Sequence, residues 1–328
     1  MVRIIYFSKD ELLRTDLTVD EIKGALEDAK GCLWVDLMAN PPEQDEEILL
    51  NIFNFHPLAV DDALQESHVP KLDDWGKFLY IVLHAVSSNK ESPDLIDTLE
   101  LDIFLGVNFM VTHHDQPIQA VDHLWKIIQR DLRHFKGGVD NLLYRLTDEL
   151  TASYMPVVDD LDNQIDLAED KIFDHQDSKL LEEIFSYKRS VLHLRRVINP
   201  MREVLNKLAR DDYEVIDARA RVYFRDVYDH LVRLNDLTEN IRDLVSGTLD
   251  IYLSDLNNRM NDIMKTLTAI TTLFMPMTFL TGFFGMNFFA PGIRLTPWTS
   301  VSAFIFLLLV MFGLPAIMFW WIRRRGWM

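Results

Sequence analysis

The sequence predicts an α+β membrane protein with an amino-terminal α/β domain, a region of long helices and two membrane-spanning helices at the carboxyl end. The spans are predicted because no ionisable side chain lies between Lys265 and Arg294, or between Arg294 and Arg323. Each uncharged stretch exceeds the roughly 20 apolar residues that are needed to cross a bilayer. The other two regions are predicted because strand patterns come first in residues 1–262 and helix patterns follow.

Residues 1–138 are predicted to form the α/β domain. A capping box from Thr18 to Glu21 starts a short helix, and Asn40 is expected to cap a second helix with proline in its first turn. A third helix is expected over residues 118–135. Strands are expected at residues 3–8, 31–37, 78–86, 97–105 and 108–113, where Ile, Val, Leu and Phe are frequent.

Residues 139–262 are predicted to form a stalk of long helices, beginning with a hairpin that resembles a coiled coil. Its second helix is expected over residues 178–208. A third helix begins near Ala218 and meets no proline before Pro276, so it would run for roughly 85 Å and continue into the first span. Such a helix can transmit a movement to the membrane. The seam of the hairpin is formed by Val158, Leu161, Ile165, Ala168 and Ile172.

The membrane region is predicted to contain a first span at residues 263–285, an outer connection at 286–297 and a second span at 298–322. A basic tail follows at 323–328. The amino terminus carries no pattern of a cleavable signal, so we expect the body and both termini to be cytoplasmic. Three consecutive arginines after the second span agree with this orientation, because cytoplasmic flanks are rich in Lys and Arg.

The composition excludes some classes of function. The chain has 51 acidic and 33 basic residues and a formal net charge of −18, which argues against nucleic acid as a partner. Cys32 is the single cysteine, so internal disulfides and thiolate metal clusters are excluded, and its apolar strand predicts a buried side chain. The sequence contains no Walker loop, nucleophile elbow or HExxH motif, so we expect no enzyme and no organic cofactor.

A line of small and polar residues follows the first span with a period of 3.5. It has two interpretations: a packing face between helices, or the wall of a water-filled pathway surrounded by copies of this helix. The amide of Asn261 favours the pathway, since an unpaired amide in lipid costs several kcal/mol. Two spans cannot enclose a pore, so a pathway requires a symmetric oligomer. The line comprises Asn261, Met264, Thr268, Thr271, Met275, Thr278, Gly282 and Gly285.

Several motifs together carry a resemblance to a known family. They are residues 56–62 (HPLAVDD), 70–71 (PK), 201–205 (MREVL), 223–230 (YFRDVYDH), 274–282 (FMPMTFLTG), Gly285-Met286-Asn287 and 323–327 (RRRGW). In these motifs the chain resembles the CorA family of magnesium transporters. The resemblance implies a funnel-shaped homopentamer in the plasma (inner) membrane, in contact with lipid, that carries hydrated Mg²⁺ inward and also accepts Co²⁺ or Ni²⁺.

The resemblance also implies site residues. Gly285, Met286 and Asn287 would form the selectivity filter. Mg²⁺ bound between subunits by Asp62 and Asp226, with Asp61 as a candidate helper, would close the pore. The family's pore positions correspond to Asp250, Asn261, Met264, Leu267, Met275 and Thr278, and the line described above adds Thr268, Thr271 and Gly282. Leu267 and Met275 are expected to narrow the pathway with apolar side chains.

Two alternatives remain open at this point. A zinc-transporting branch of the same superfamily usually has a different middle residue in the filter motif, and Met286 favours the magnesium branch. A membrane-anchored Mg²⁺ sensor or scaffold would need the polar line to be packing alone. The outer connection departs from the family pattern, because it carries Arg294 where an acid is often found. This departure predicts weaker electrostatic capture of Mg²⁺ at the mouth.

Overall fold

A computed structural model describes residues 1–8, 13–15, 17–65, 68–89, 91–92, 94–131, 137–173, 179–286 and 301–325 of the chain. The chain divides into two compact units, Met1–Leu249 and Asp250–Met328. The first unit contains the sheet and most of the long helices, and the second contains the two uncharged stretches.

A seven-stranded mixed sheet forms the centre of the first unit among the described residues, in the order β2-β1-β3-β7-β6-β5-β4. Strands β3 and β7 pair in parallel, and the other neighbouring pairs are antiparallel. The five predicted strands are confirmed to within two residues at each end. Two short strands, β2 and β4, were not predicted. The strands are β1 (Val2–Phe7), β2 (Leu13–Arg14), β3 (Cys32–Met38), β4 (Lys71–Asp74), β5 (Leu79–Ser88), β6 (Ile96–Leu105) and β7 (Phe109–His114).

Short helices lie between the strands, namely α1 (Ile22–Glu27), α2 (Pro42–Glu47) and α3 (Pro57–Gln65), with one 3₁₀ turn before α1 and one π-helical turn after α2, and α4 (Gln119–Arg130) follows β7. The capping box of Thr18 and Glu21 is present, as predicted. The prediction for Asn40 is wrong, because Pro41 is the N-cap of α2 and the Asn40 amide instead donates to Asp45 Oδ1 at 2.8 Å. Helix α4 ends at Arg130, earlier than predicted.

An aromatic cluster at the centre of the core joins the sheet to the helices. Phe55, in the segment before α3, stacks on Phe104 of β6 with ring centroids 4.4 Å apart and contacts Phe78 at 4.6 Å. Aliphatic side chains of α1, α3 and the central strands complete this core. Cys32 is buried, as predicted. The cluster therefore fixes the position of α3 on one face of the sheet.

Among the described residues, five helices follow α4: α5 (Val139–Ala152), α6 (Tyr154–Phe173), α7 (Leu180–Arg210), α8 (Arg221–Gly285) and α9 (Val301–Arg324). The five seam residues predicted for α6 are all buried, which confirms the helical period. Helix α8 has 65 residues and spans roughly 100 Å at 1.5 Å per residue. Pro276 lies inside it, within the predicted first span.

The second unit contains the part of α8 from Asp250 onward and helix α9. Among the described residues, α8 and the segment Phe304–Arg324 of α9 are long and apolar enough to cross a membrane. Most side chains of both segments are exposed in the single chain, as expected where lipid or other chains would cover them. Residues 287–300 lie outside the described part, so the predicted outer connection, with Asn287 and Arg294, is described only at Met286.

We expect Phe55→Ala to destabilise the protein by about 3–5 kcal/mol, because it removes a ring that is only 4 % exposed and leaves a cavity between stacked neighbours. Thermal unfolding of the full-length protein in detergent measures this loss. Val107→Ala is the control, since Val107 is 70 % exposed, and its cost should stay within about 0.5 kcal/mol. Equal stability of the two variants would contradict the central role of Phe55.

Candidate functional site

The polar line predicted on the first span lies on helix α8. All eight of its residues, together with Leu267 and Asp250, are exposed in the single chain. Exposure alone does not separate this face from the others, because Ile263 and Phe279 are exposed as well. The line carries one amide and three hydroxyl groups, and other hydroxyls of the same helix, such as those of Thr266 and Thr281, lie off the line. The acceptor oxygens of the line gain hydrogen bonds where water or another protein surface lies beside it.

Hydroxyl groups on this helix donate to their own backbone. Thr271 Oγ1 donates to the Leu267 carbonyl at 2.8 Å, and Thr278 Oγ1 donates to the Phe274 carbonyl at 3.0 Å. Because each hydroxyl proton is used within the helix, the remaining lone pairs of the oxygens are what the helix offers to its surroundings. A surface of acceptors suits a hydrated cation, since the water molecules around a cation direct their hydrogens outward.

The filter motif is described only in part. Gly285 is the last residue of α8, and Met286 follows it with its backbone N–H donating to the Phe283 carbonyl at 3.4 Å. The third residue of the motif, Asn287, lies outside the described residues. The structure therefore places the start of the motif directly at the carboxyl end of the long helix.

Asp62 lies in the last turn of α3 and is ion-paired. Its Oδ2 accepts from Lys71 Nζ at 2.5 Å, and its Oδ1 lies 4.0 Å from His68 Nε2. Lys71 also lies 3.3 Å from Asp73 Oδ2. Partial burial acts to lower the pKa of Lys71, but the hydrogen bond to Asp62 and the charge of Asp73 outweigh it and raise the pKa. Lys71 is therefore a full cation at neutral pH. Asp61, the candidate helper, is exposed beside Asp62.

Asp226 lies on the outer face of α8 near its start. Phe224 and Val227 are buried, which turns Asp226 toward solvent. It has no ion-pair partner among the described residues, and Arg221 pairs with Asp212 instead. Burial is the main cause that raises the pKa of nearby Asp148, and the charge of Asp226 adds to it. Asp226 thus lies on a surface that also carries Asp148, and His230 and Arg145 act on Asp148 in the opposite direction.

The two acids are suitable as magnesium ligands but do not form a complete site within one chain. Carboxylate oxygens are the donors that Mg²⁺ prefers. Among the described residues of a single chain, however, no group of three or more His, Cys, Asp or Glu side chains is arranged to hold a metal ion. A site that uses Asp62 and Asp226 therefore needs water molecules or a second copy of the chain.

A buried polar network lies under α3 and was not predicted. His113 lies between two carboxylates, with Nε2 at 3.5 Å from Asp45 Oδ2 and Nδ1 at 3.5 Å from Asp102 Oδ2. Tyr80 donates to Asp102 at 2.6 Å. Next to the network is a cavity of about 270 Å³ whose lining includes Asp102, His113 and Asp115. Adjacent histidines in a strand point to opposite faces, and His114 accordingly contacts Asp36 at 3.1 Å on the other side.

The ionisation of this network is set by burial and by mutual contact. Burial acts to lower the pKa of His113, but the hydrogen bond to Asp102 and the charges of Asp102, Asp45 and Asp115 raise it overall. Burial also raises the pKa of Asp102 and of Asp45, against the opposing effect of His113. All three shifts favour retention of a proton within the network.

Sequence reasoning named Asp62 and Asp226 as candidate metal ligands but missed Lys71 as the partner of Asp62. Strand β4 has four residues, three of them charged, and a period of two cannot be recognised over so short a stretch. The ion pair also depends on the packing of α3 over the sheet, which no local pattern encodes. Lys71 belongs to the Pro70-Lys71 motif of the family resemblance, and no other feature of the sequence pointed to it.

Comparisons with known proteins agree with this geometry. A sequence model of a family described as CorA-like Mg²⁺ transporter protein matches residues 29–324. YfjQ of Bacillus subtilis, provisionally assigned as a metal ion transporter, is 34 % identical over 90 % of this chain and 89 % of its own. The cobalt/magnesium transport protein CorA of Thermotoga maritima is 29 % identical over 100 % of this chain and 92 % of its own.

The fold agrees over the whole chain with a solved structure. The complete structure of the CorA magnesium transporter from Methanocaldococcus jannaschii matches with a TM-score of 0.85 and 25 % sequence identity, covering 100 % of this chain and 99 % of that one. The similarity thus includes the sheet, the long helices and both apolar helices.

The buried network leads to a prediction about pH. We expect His113→Gln to cost about 3 kcal/mol near pH 6, because it leaves two buried carboxylates without their cation. A raised histidine pKa gives stability that is complete below about pH 6.5 and is lost as pH rises through the pKa of the folded state, so the cost should shrink toward pH 8.5. Thermal unfolding of the full-length protein at both pH values measures it.

His123→Gln is the control for this prediction, since His123 is 56 % exposed and its pair with Glu149 lies at the surface. Its cost should be below about 1 kcal/mol. A cost of His113→Gln that is the same at both pH values would contradict the assignment of the proton to this network.

Proposed function

The chain belongs to the family of CorA-like Mg²⁺ transporter proteins, and from this premise we propose that it forms a homopentameric channel for hydrated Mg²⁺. The observation that carries the proposal is the polar line on α8, within a chain whose fold matches a CorA magnesium transporter from end to end. A family of divalent cation transporters provides the reaction class, which is transport and not catalysis.

Conduction is proposed to occur along a central column of water lined by one α8 from each subunit. Mg²⁺ releases its water molecules reluctantly, so a wall of amide and hydroxyl oxygens that hydrogen-bonds the outside of the aquo complex suits it. Thr271 and Thr278 offer such oxygens, since their protons are used within the helix. An inside-negative potential drives influx, because a dication gains about 4.6 kcal/mol per 100 mV. Leu267 and Met275 would act as apolar constrictions.

Assembly into an oligomer is supported by apolar side chains that the single chain leaves exposed beside both regulatory acids. Leu58 of α3 is 61 % exposed, one helical turn before Asp62, and Val222 of α8 is 69 % exposed, one turn before Asp226. Exposed aliphatic side chains of this kind gain free energy when a neighbouring subunit covers them. We propose that the Asp62 surface of one subunit faces the Asp226 surface of the next.

Regulation is proposed to follow from this arrangement. Mg²⁺ between Asp62 of one subunit and Asp226 of the next, with Asp61 as a helper, would favour the closed state. Loss of the ion would leave facing acids that repel each other, and the equilibrium would shift toward the open state. Asp226 lies on the same helix as the polar line, so a change in the position of α8 is a direct route between the two sites.

Selection is proposed to occur at Gly285, Met286 and Asn287, where a ring of neutral amides would contact the hydrated ion at the outer mouth. Asn261 and Met264 would line the inner part of the pathway, with Asp250 near the entrance and Thr268 and Gly282 along it. Arg294 would repel cations near the mouth and lower the rate of capture. We place the protein in the plasma (inner) membrane with both termini in the cytoplasm.

Divalent ions whose hydrated size is similar to that of hydrated Mg²⁺ are candidates for further cargo. Co²⁺ and Ni²⁺ are proposed as further cargo, because a filter that contacts the water shell distinguishes such ions poorly. A zinc transporter is the second candidate, and Met286 counts against it. A sensor or scaffold without a pore is the third, and it would require the polar line of α8 to be buried by packing alone.

Uptake into proteoliposomes tests the transport proposal. With an inside-negative potential and an internal Mg²⁺-sensitive dye, we expect influx that Asn287→Ala lowers by roughly tenfold or more, because the ring of amides is lost. The control is Asn163→Ala, an exposed amide on α6 that should leave influx unchanged. A panel of Mg²⁺, Co²⁺, Ni²⁺ and Zn²⁺ ranks the cargo. Absence of divalent flux in the wild type would favour the scaffold.

The same vesicles test regulation when Mg²⁺ is varied on the side of the cytoplasmic domain. We expect Asp226→Asn to raise the Mg²⁺ concentration needed for half inhibition by roughly tenfold, because one anionic ligand is lost. Asp236→Asn is the control: it removes an exposed acid from the same helix nearly three turns further along. An unchanged midpoint for Asp226→Asn, or an equal change for both variants, would remove Asp226 from the regulatory site.

A further inference from the structure

The Asp62 carboxylate already has a cation. Lys71 Nζ lies 2.5 Å from Asp62 Oδ2, within contact distance of the oxygen that a metal ion would use. Both side chains are partly exposed, so the pair can be opened without unfolding the helix or the strand. A metal ion that binds Asp62 must therefore compete with an ammonium group of the same chain.

The fold holds Lys71 in this position. Lys71 opposes Val82 and Asp73 opposes Tyr80 in the β4–β5 ladder, so their four side chains lie on one face of the sheet. This is the face that α3 covers, since Tyr80 and Val82 pack with Ala59, Val60 and Ala63. The Lys71 ammonium lies 5.1 Å from the centroid of the Tyr80 ring. The stem of Lys71 is thus confined between strand and helix, and its charge is directed at Asp62.

A second carboxylate, that of Asp73, lies close to the Lys71 ammonium group. Asp73 Oδ2 lies 3.3 Å from Lys71 Nζ, so the ammonium group already contacts both carboxylates. When a divalent ion takes Asp62, a small movement of the flexible lysine would release Asp62 and keep the contact with Asp73, so the ammonium group retains an anionic partner. Release of the metal reverses the movement. The exchange therefore costs little beyond the loss of one partly exposed ion pair.

We propose that Lys71 is an internal competitor of Mg²⁺ at Asp62 and that it sets the Mg²⁺ concentration at which the regulatory site fills. This inference rests on the proposed function, because it takes Asp62 to be a metal ligand. It assigns to Lys71 a role that a structural ion pair does not have: the pair weakens metal binding, and its removal strengthens metal binding.

The test compares the Mg²⁺ dependence of variants of the full-length protein. Lys71→Met and Lys71→Gln remove the competing charge and keep most of the stem, so we expect the site to fill at roughly three- to tenfold lower Mg²⁺. Lys71→Arg keeps the charge and should stay within about twofold of the wild type. Lys77→Met is the matched control, since Lys77 lies in the β4–β5 turn and forms no ion pair with any described residue.

Two readouts are used. The first is the Mg²⁺ concentration that gives half of the thermal stabilisation in detergent, which needs no transport activity. The second is the Mg²⁺ concentration that gives half inhibition of flux in proteoliposomes. Lower midpoints for Lys71→Met or Lys71→Gln, with unchanged midpoints for Lys71→Arg and Lys77→Met, support the competition.

Asp62→Asn separates the two possible failures. If Asp62→Asn raises the midpoint but both neutral Lys71 variants leave it unchanged or raise it, the metal site stands and the competition is overturned. A higher midpoint in those variants would mean that Lys71 positions Asp62 for the metal. If Asp62→Asn itself leaves both midpoints unchanged, Asp62 is not a ligand, and the proposed regulatory site fails together with the role of Lys71.

Discussion

The membrane region depends on one constraint: hydrocarbon cannot solvate the polar line of α8. Two helices of one chain cannot enclose water, so the hydroxyl oxygens of Thr268, Thr271 and Thr278 need another protein surface or a shared pathway beside them. Association of several copies, with the polar faces turned inward, would meet this need. In the proposed oligomer, the inter-subunit contact needed for a regulatory metal site would be a consequence of the same association.

The proposed metal site has an uneven distribution of charge. Asp226 forms no ion pair with a described residue, whereas Asp62 shares Lys71 with Asp73. In the proposed site, a lysine that neutralises one acid in the metal-free state would weaken metal binding. Such weakening would suit a sensor that must release its ion when the cytoplasmic concentration falls.

Much of the fold could be predicted because its patterns are long. The seam of α6 repeats over five positions, and the uncharged stretches exceed 25 residues each, so neither depends on distant contacts. The failures involve short segments or tertiary contacts. Asn40 has the chemistry of a helix cap, but its Oδ1 accepts from the amino terminus of Met1 and its amide nitrogen donates to Asp45. The pair of Asp62 with Lys71 depends on the packing of α3 over the sheet, for which the sequence contains no local signal, and β4 is too short for its period to be recognised.

The strength of regulation is limited by the difference in Mg²⁺ affinity between the closed and open states. Bare facing acids would make the metal-free closed state very unfavourable and the switch steep. In the proposed switch, Lys71 would lower the repulsion in that state, so less Mg²⁺ binding free energy would be needed to reach the closed arrangement. By linkage, this stabilisation alone would raise the apparent affinity for the ion and move the transition to lower Mg²⁺. Competition of Lys71 for Asp62 acts in the opposite direction, and the proposal requires this competition to be the larger of the two effects.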